Sequence, residues 1–331
     1  DAKQARTMGI WVNRKVAFMD EQYSWPALPH TQPRFMSALQ SIRLPALETK
    51  QQLAVFPYVS ANHDAMISDH EVRAGTDIAW RPSTNLQLTA ALSPDFGSVE
   101  SDDVVVNLTA YETFFPEKRL FFLEGNEVFI TTPRSDVNRY GSSRRGGGSR
   151  ATASTYTPEP TTFLNTRRIG GPPRHVSVPD DVDVASVELG KPTDLLGAVK
   201  LAGSSGRMRY GVLAAFEDDV ELPGIVKATG ERITVQEDGR DFGVVRALYE
   251  QSDGARRSIG YIGTVVTLPD DNAMTHGIDA HLLSSKGKVQ IDGQLLYSDV
   301  GEQPGYGGFV DMRIAQRRGI NHSFALDYID Q

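Results

Sequence analysis

The chain has 331 residues, 40% of them hydrophobic, a formal net charge of −8 and no cysteine. The acidic balance excludes the basic face that a nucleic-acid partner needs, and the missing cysteines exclude disulfides, thiolate metal sites and a cysteine nucleophile. No apolar run reaches the ~18 residues of a transmembrane helix, a test that says nothing of barrel strands, whose signal is short and alternating.

The chain opens at Asp1 without the apolar core of a secretion signal, so either a signal has been removed or the chain begins inside a longer protein. Met8–Met19 reads as a first strand, with Ile10, Val12, Val16 and Phe18 on one parity. Paired runs joined by turns follow. Phe35–Leu44 and Gln51–Ser60 flank residues 45–50, and Glu71–Trp80 and Leu86–Leu92 flank residues 81–85. After residue 190 the pattern resumes with Leu195–Gly203 and Arg207–Phe216, then Phe242–Gln251 and Ser258–Leu268. Two more pairs close it: His276–Ser284 with Lys288–Ser298, and Gly307–Gln316 with Ile320–Tyr328. Glycine in the short polar turns supplies the positive φ that tight hairpins require.

Several runs alternate. Val72, Ala74, Ile78 and Trp80 oppose Arg73, Gly75, Asp77 and Ala79. Val289, Ile291, Gly293, Leu295 and Tyr297 oppose Gln290, Asp292, Gln294, Leu296 and Ser298. Ile320, Phe324, Leu326 and Tyr328 oppose Asn321, Ser323, Ala325 and Asp327. Each such strand has an oily and a polar side. Turns within pairs are short and connections between pairs longer: about 10 residues after Ser60, about 24 after Glu217 and about 8 after Ser298, with only Pro269-Asp-Asp-Asn272 brief, the asymmetry of an outer-membrane barrel. The expected fold class is all-β, an antiparallel transmembrane β-barrel of one domain over 1–331, with residues 94–194 inserted as a plug or extracellular loop. About thirteen strands outside the insert, and chain ends on opposite sides, predict a fragment whose closing strands are absent. Tyr249, Tyr261, Tyr297, Tyr328 and Trp80 suit aromatic girdles at the membrane interfaces, although ordinary β-core packing also uses such residues.

Within the insert, Ser101–Phe115 reads as a short helix or turn ended by Pro116, and Tyr140–Arg150 as a flexible basic loop. Asp95, Glu100, Asp102, Asp103, Glu112, Glu117 and Glu124, with Lys118, Arg119, Arg167 and Arg168, are the expected ion-pair network of a plug in a polar lumen. Two sharper readings compete. Paired carboxylates, Glu112 and Glu117 among them, could serve glycoside hydrolysis. Asp95, Glu100 and Asp102 could hold a divalent cation through hard oxygen ligands. The seven histidines never form a His-x-x-x-His pair, so a zinc site is not expected.

At the insert the chain resembles an uncharacterised bacterial barrel domain that follows a family-9-type carbohydrate-binding module. The resemblance rests on Ser93-Pro-Asp-Phe-Gly-Ser-Val-Glu-Ser-Asp102, Val105-Val-Asn-Leu-Thr109, Glu112-Thr-Phe-Phe-Pro-Glu-Lys-Arg119 and Phe121-Phe-Leu-Glu-Gly125. Arg167-Arg-Ile-Gly170, Gly197–Gly203 and Trp25-Pro26 add weaker echoes, while Gly97 and Leu120 depart from the pattern. The resemblance implies a barrel in the outer membrane of a Gram-negative bacterium, with an upstream periplasmic module of the same protein, and no settled activity.

Two functional classes therefore stand. One is an outer-membrane channel or gated transport protein for oligosaccharides or other envelope solutes. Its partners would be outer-membrane lipid and the periplasmic domain, with no nucleic acid. The other is an envelope carbohydrate-active hydrolase using carboxylates of the insert. A scaffold or adhesin whose loops bind partners is the plainest alternative.

Overall fold

The fold is that of a computed structural model. It describes residues 6–19, 21–27, 39–45, 51–64, 69–95, 115–135, 161–173, 176–251, 253, 255–268, 272–301, 303–317 and 320–330. In chain order the strands are β1 (Arg6–Ile10), β2 (Val12–Val16), β3 (Glu21–Trp25), β4 (Gln40–Leu44), β5 (Gln52–Asp64), β6 (Asp69–Ser83), β7 (Leu86–Leu92), β8 (Val182–Val184) and β9 (Leu195–Ser205). There follow β10 (Met208–Glu217), β11 (Val220–Val226), β12 (Arg232–Glu237), β13 (Asp241–Gln251), β14 (Arg256–Thr267), β15 (Asn272–Leu283), β16 (Val289–Val300), β17 (Gln303–Arg317) and β18 (Ile320–Ile329). Among the described residues, two single-turn helices, α1 (Leu120–Leu123) and α2 (Ser186–Leu189), lie in the insert.

The chain is all-β and antiparallel. Eleven strands form one sheet in the order β18-β17-β16-β15-β14-β13-β10-β9-β7-β6-β5. Every neighbour is the preceding strand of that set, so the sheet is a meander interrupted by two excursions. One is residues 93–194, between β7 and β9, and the other is residues 218–240, between β10 and β13. Both leave from the same end. Among the described residues, β5 and β18 are not paired with each other.

The hairpins read from the sequence at β6–β7, β9–β10, β13–β14, β15–β16 and β17–β18 are all present. Gly206 turns β9 into β10 at φ 59°. Three expectations need correction. Met8–Met19 is not one strand: β1 pairs with β4, β2 pairs with β3, and Ala17–Met19 is a 3-10 turn between β2 and β3. Each half has its own partner, so the chain cannot run straight through Trp11. Phe35–Leu44 does not form a hairpin with Gln51–Ser60. Instead β5 pairs with β6 over thirteen positions, Gln52↔Arg81 through Asp64↔Asp69, a far longer ladder than the five-residue β4 offers. Finally, the longer-loop end is long only in places. Gly301–Glu302 alone separates β16 from β17, and the supposed linker after Glu217 is itself a hairpin, β11–β12, which takes β8 as a third strand.

Alternation decides how the large sheet is solvated. On its outward face Leu53 is 65% exposed, Leu295 66% and Leu326 72%, with Val72, Val212, Val245, Ile259, Ile278 and Val310 also open. The opposite face is covered by the insert. Phe121 and Phe122 of α1, Val128, Phe129 and Ile169 pack on Ala91, Ala198, Leu213, Ala215, Val244 and Ile262, one or two residues from each of β7, β9, β10, β13 and β14. Small residues let the insert come close. The Phe163 ring lies on Gly277, where a Cβ would stand 2.1 Å from it. Since the insert also reaches β16, β17 and β18, the sheet bows around it.

Candidate functional site

The site is the contact between the insert and the inward face of the sheet. Its chemistry begins at Glu117, Arg119 and Thr166. Glu117 Oε1 accepts from Arg119 Nε at 2.9 Å, and its Oε2 accepts from Arg119 Nη2 at 2.8 Å and Thr166 Oγ1 at 2.7 Å. Arg119 also donates to the Ile169 carbonyl at 2.6 Å and to the Thr166 carbonyl at 2.5 Å, and stacks 4.2 Å over Phe122. Both side chains are buried. This hub staples residues 117–122 to residues 166–169, the outgoing and returning halves of the insert. Burial pushes the Glu117 carboxyl up. The Arg119 and Thr166 bonds outweigh that and hold it below the usual glutamate value.

Four further contacts fix the insert to the wall. Arg246 on β13 is bidentate to Asp279 on β15, with Nη2 2.9 Å from Oδ2, and its Nε donates to the Val128 carbonyl at 3.2 Å. Gly260 leaves the space for that guanidinium, since a Cβ there would sit 2.4 Å from Nη1. Lys200 on β9 donates to the Phe121 carbonyl and lies 5.0 Å from the Phe121 ring centre. Thr131 Oγ1 donates to Gln294 Oε1 at 2.8 Å. Arg134 bonds Asp311 on β17, with Nε 2.7 Å from Oδ2, and Asp327 on β18, over the face of Phe309. Burial lowers the Arg134 pKa, but the two aspartates more than offset this and raise it. At the rim, Arg240 pairs with Glu217, with Nε 2.7 Å from Oε2, and donates to the carbonyls of Arg168 and Gly171. Glu217 Oε1 in turn accepts from Gly170 N at 2.8 Å.

Charged groups without water survive in a protein interior only when paired and fully bonded. Here they line the side of a sheet whose other side is oily, and several end on the insert's backbone.

The expected residues are distributed as follows. Glu117, Arg119 and the backbone of Lys118, Arg167 and Arg168 are brought together. Burial lowers the Arg167 pKa. Glu124 stands apart, in an ion pair with Arg81 on β6. Asp95 is also apart. It accepts from Ser60 Oγ at 2.8 Å, and its backbone N donates to the Tyr58 hydroxyl at 2.7 Å. Glu100, Asp102, Asp103 and Glu112 lie outside the described residues, as do nearly all of the helix expected at 101–115 and the loop at 140–150. Among the described residues, no cluster of His, Asp or Glu is arranged to hold a metal. Arg134, Lys200, Glu217, Arg240, Arg246, Asp279, Asp311 and Asp327 were not singled out as a site. Lys200, Glu217, Arg246, Asp279, Asp311 and Asp327 carried a signal all the same, as charges on strands, whereas Arg134 and Arg240 lie off the strands.

Residues 49–148 match the model of a family described as a domain of unknown function, DUF5916, a stretch that includes the Ser93–Gly125 block. No curated protein matches the chain. Among solved structures, the chain is similar to OmpTdeltaL8, a loop L8 deletion mutant of OmpT, an outer membrane protein of Vibrio cholerae. The identity is 10%, the alignment covers 85% of this chain and 94% of that one, and the TM-score is 0.32.

Proposed function

We propose that the eleven-stranded sheet is wall of an outer-membrane β-barrel in a Gram-negative bacterium, and that the insert is its plug. One observation carries this reading: the sheet's open face is apolar, while its buried charges all lie on the covered face, beside the apolar core. Leu53, Val245, Leu295 and Leu326 face out, while Lys200, Arg246, Asp279 and Gln294 are 2–3% exposed on the other side. A water-soluble sheet has the reverse arrangement, whereas strands in lipid alternate apolar-out and polar-in.

The aromatic residues support the reading. Tyr261, His276, Tyr297 and Tyr306 form a row on four adjacent outward strands, with successive ring centres 6.2, 6.1 and 5.1 Å apart. It lies towards the end where the insert leaves. Trp80 and Tyr249 stand towards the other end of the outward face, as in a second girdle. A lumen of Arg, Asp, Gln and Thr groups suits hydrated polar solutes, oligosaccharides among them, once the insert shifts.

The hydrolase alternative gains nothing from the geometry. Glu117 is occupied by Arg119 and Thr166, which leaves it ill placed to move a proton. Cell fractionation tests the reading. The protein should sediment with outer membranes and migrate as a folded band in detergent until heated. Complete release into buffer without detergent would contradict it.

A further inference from the structure

The insert is held to the wall in two different ways. Against β7, β9, β10, β13 and β14 it packs Phe121, Phe122, Phe129 and Ile169 into the apolar core, and among the described residues that core takes nothing from β15–β18. Against β15–β18 its contacts are mostly polar. Thr131 meets Gln294, and Arg134 meets Asp311 and Asp327 with its guanidinium 3.9 Å from the centre of the Phe309 ring. Phe163 over Gly277 is the apolar exception. Packing along this seam is incomplete. A cavity of about 510 Å³ separates residues 161–169 from β13–β16, bordered by Thr161, Thr162, Asn165 and Arg168 as well as by Phe163 and Leu296. Gln294 Nε2, and Thr132 Oγ1 next to the Thr131 contact, are buried without a hydrogen-bond partner.

Water would satisfy those two atoms and hydrate Arg134 and its aspartates, whereas parting the insert from the other five strands would expose four large apolar side chains. The seam on β15–β18 is therefore the side on which the insert separates first. It runs the length of the strands. The cavity borders Ala273 and Val300 near one end, and charges follow from Gln294 towards the short turns at the other. By register and alternation the inward charges of these strands are Asp279, His281, Asp292, Asp311, Arg313 and Asp327. Asp279 is paired with Arg246, and Asp292 is bonded to His281 and Gln290. Arg134 is the cation that the insert itself places on Asp311 and Asp327. Once it withdraws, three carboxylates (Asp292, Asp311 and Asp327) face one arginine, Arg313, and one histidine, and an acid-lined passage favours cations. On the barrel-and-plug reading, we propose that the insert parts from the wall along β15–β18 when Arg134 leaves Asp311 and Asp327, and that the passage opened there takes cations in preference to anions.

The test records the full chain in planar bilayers under a potassium chloride gradient. The parent should open rarely, and Arg134→Gln should raise the open fraction about tenfold, with a reversal potential towards that of potassium. Where Arg134→Gln does not fold, Asp327→Asn loosens the same contact from its more exposed partner. Adding Asp311→Asn and Asp327→Asn to Arg134→Gln should keep the passage open and lower the potassium preference about threefold or more. Since the chain has no cysteine, either side of the insert can be stapled. In the Arg134→Gln chain, Thr131→Cys with Gln294→Cys, joined by a short reducible thiol cross-linker, should close the passage until reductant is added. Gly125→Cys with Ala202→Cys, where a Cβ on Gly125 would stand 3.4 Å from that of Ala202, staples the apolar side and should leave it open. Suppose the protein sediments with outer membranes, yet Arg134→Gln stays closed, prefers chloride, ignores the first staple or is closed by the second. Any of these would overturn this inference and leave the barrel reading standing, whereas a chain that does not sediment with membranes overturns both.

Discussion

Two antiparallel sheets in this chain solve opposite problems. In the three-stranded sheet of β8, β11 and β12, Val182, Leu222 and Val235 are buried, while Glu221, Thr234 and Gln236 are exposed. That is how a sheet in water behaves. In the eleven-stranded sheet Leu295 and Val245 are exposed, while Arg246, Asp279 and Gln294 are buried. Both alternate with the same period, so periodicity alone does not say which phase is the inside. The surroundings decide that. For the small sheet they are water over a small apolar core, and for the large one an insert that meets it through both apolar packing and buried ion pairs on one side and, in our reading, lipid on the other.

The largest effect that would break this contrast is loss of the inward pair. Arg246→Met strands Asp279 in a buried site and removes the bond to the Val128 carbonyl. It should cost about 3–5 kcal/mol in urea unfolding of the micelle-bound protein. Arg246→Met with Asp279→Leu should recover most of that. If the single variant unfolds like the parent, the pair is not buried as described.

Leu295→Arg comes next. At mid-membrane it should cost about 2–4 kcal/mol, seen as poor folding into bilayers, with little harm to the small sheet. Leu222→Arg should do the converse and disrupt β11 whether or not lipid is present. Identical behaviour of these two variants would erase the distinction between the sheets.

Acid should loosen the insert. Because the folded Glu117 carboxyl titrates below 4.5, the ordinary glutamate value, its contribution is complete above that pH. It is lost as pH falls through the lower folded value. Amides of residues 117–122 and 166–169 should then exchange faster at pH ~3 than at pH ~6. Glu117→Gln, costing about 1–2 kcal/mol, should flatten that dependence. An unchanged profile would mean that the hub does not hold the two halves. The smallest effect is at Glu221, exposed on the small sheet, where Glu221→Lys should stay within about 0.5 kcal/mol.

The later hairpins were legible because long alternating runs meet at short turns, as at Ser204-Ser-Gly206 and Ser285-Lys-Gly287. Pairing between distant partners was not. Nothing local in Gln40–Leu44 says that it returns to β1, and Gly301, Pro304 and Gly305 hid the first residues of β17, so that the strand was read only from Gly307. The β11–β12 hairpin was hidden by Pro223 and Gly224, although Gly230, at φ 72°, marks its turn. In the site, Glu117 and Arg119 were legible because they lie two residues apart in a charged block. Arg134 with Asp311 and Asp327 was not, since ion pairs across more than a hundred residues leave no local trace.

The absence of cysteine makes the central claim directly measurable. Single cysteines along residues 289–298 of β16, spin-labelled in the chain folded into bilayers, report access to oxygen and to a water-soluble nickel reagent. The account predicts period-two alternation, with positions 291, 293 and 295 open to oxygen and closed to nickel, and 292 and 294 closed to oxygen. Nickel access at 291, 293 and 295 equal to that of a water-exposed site would contradict it.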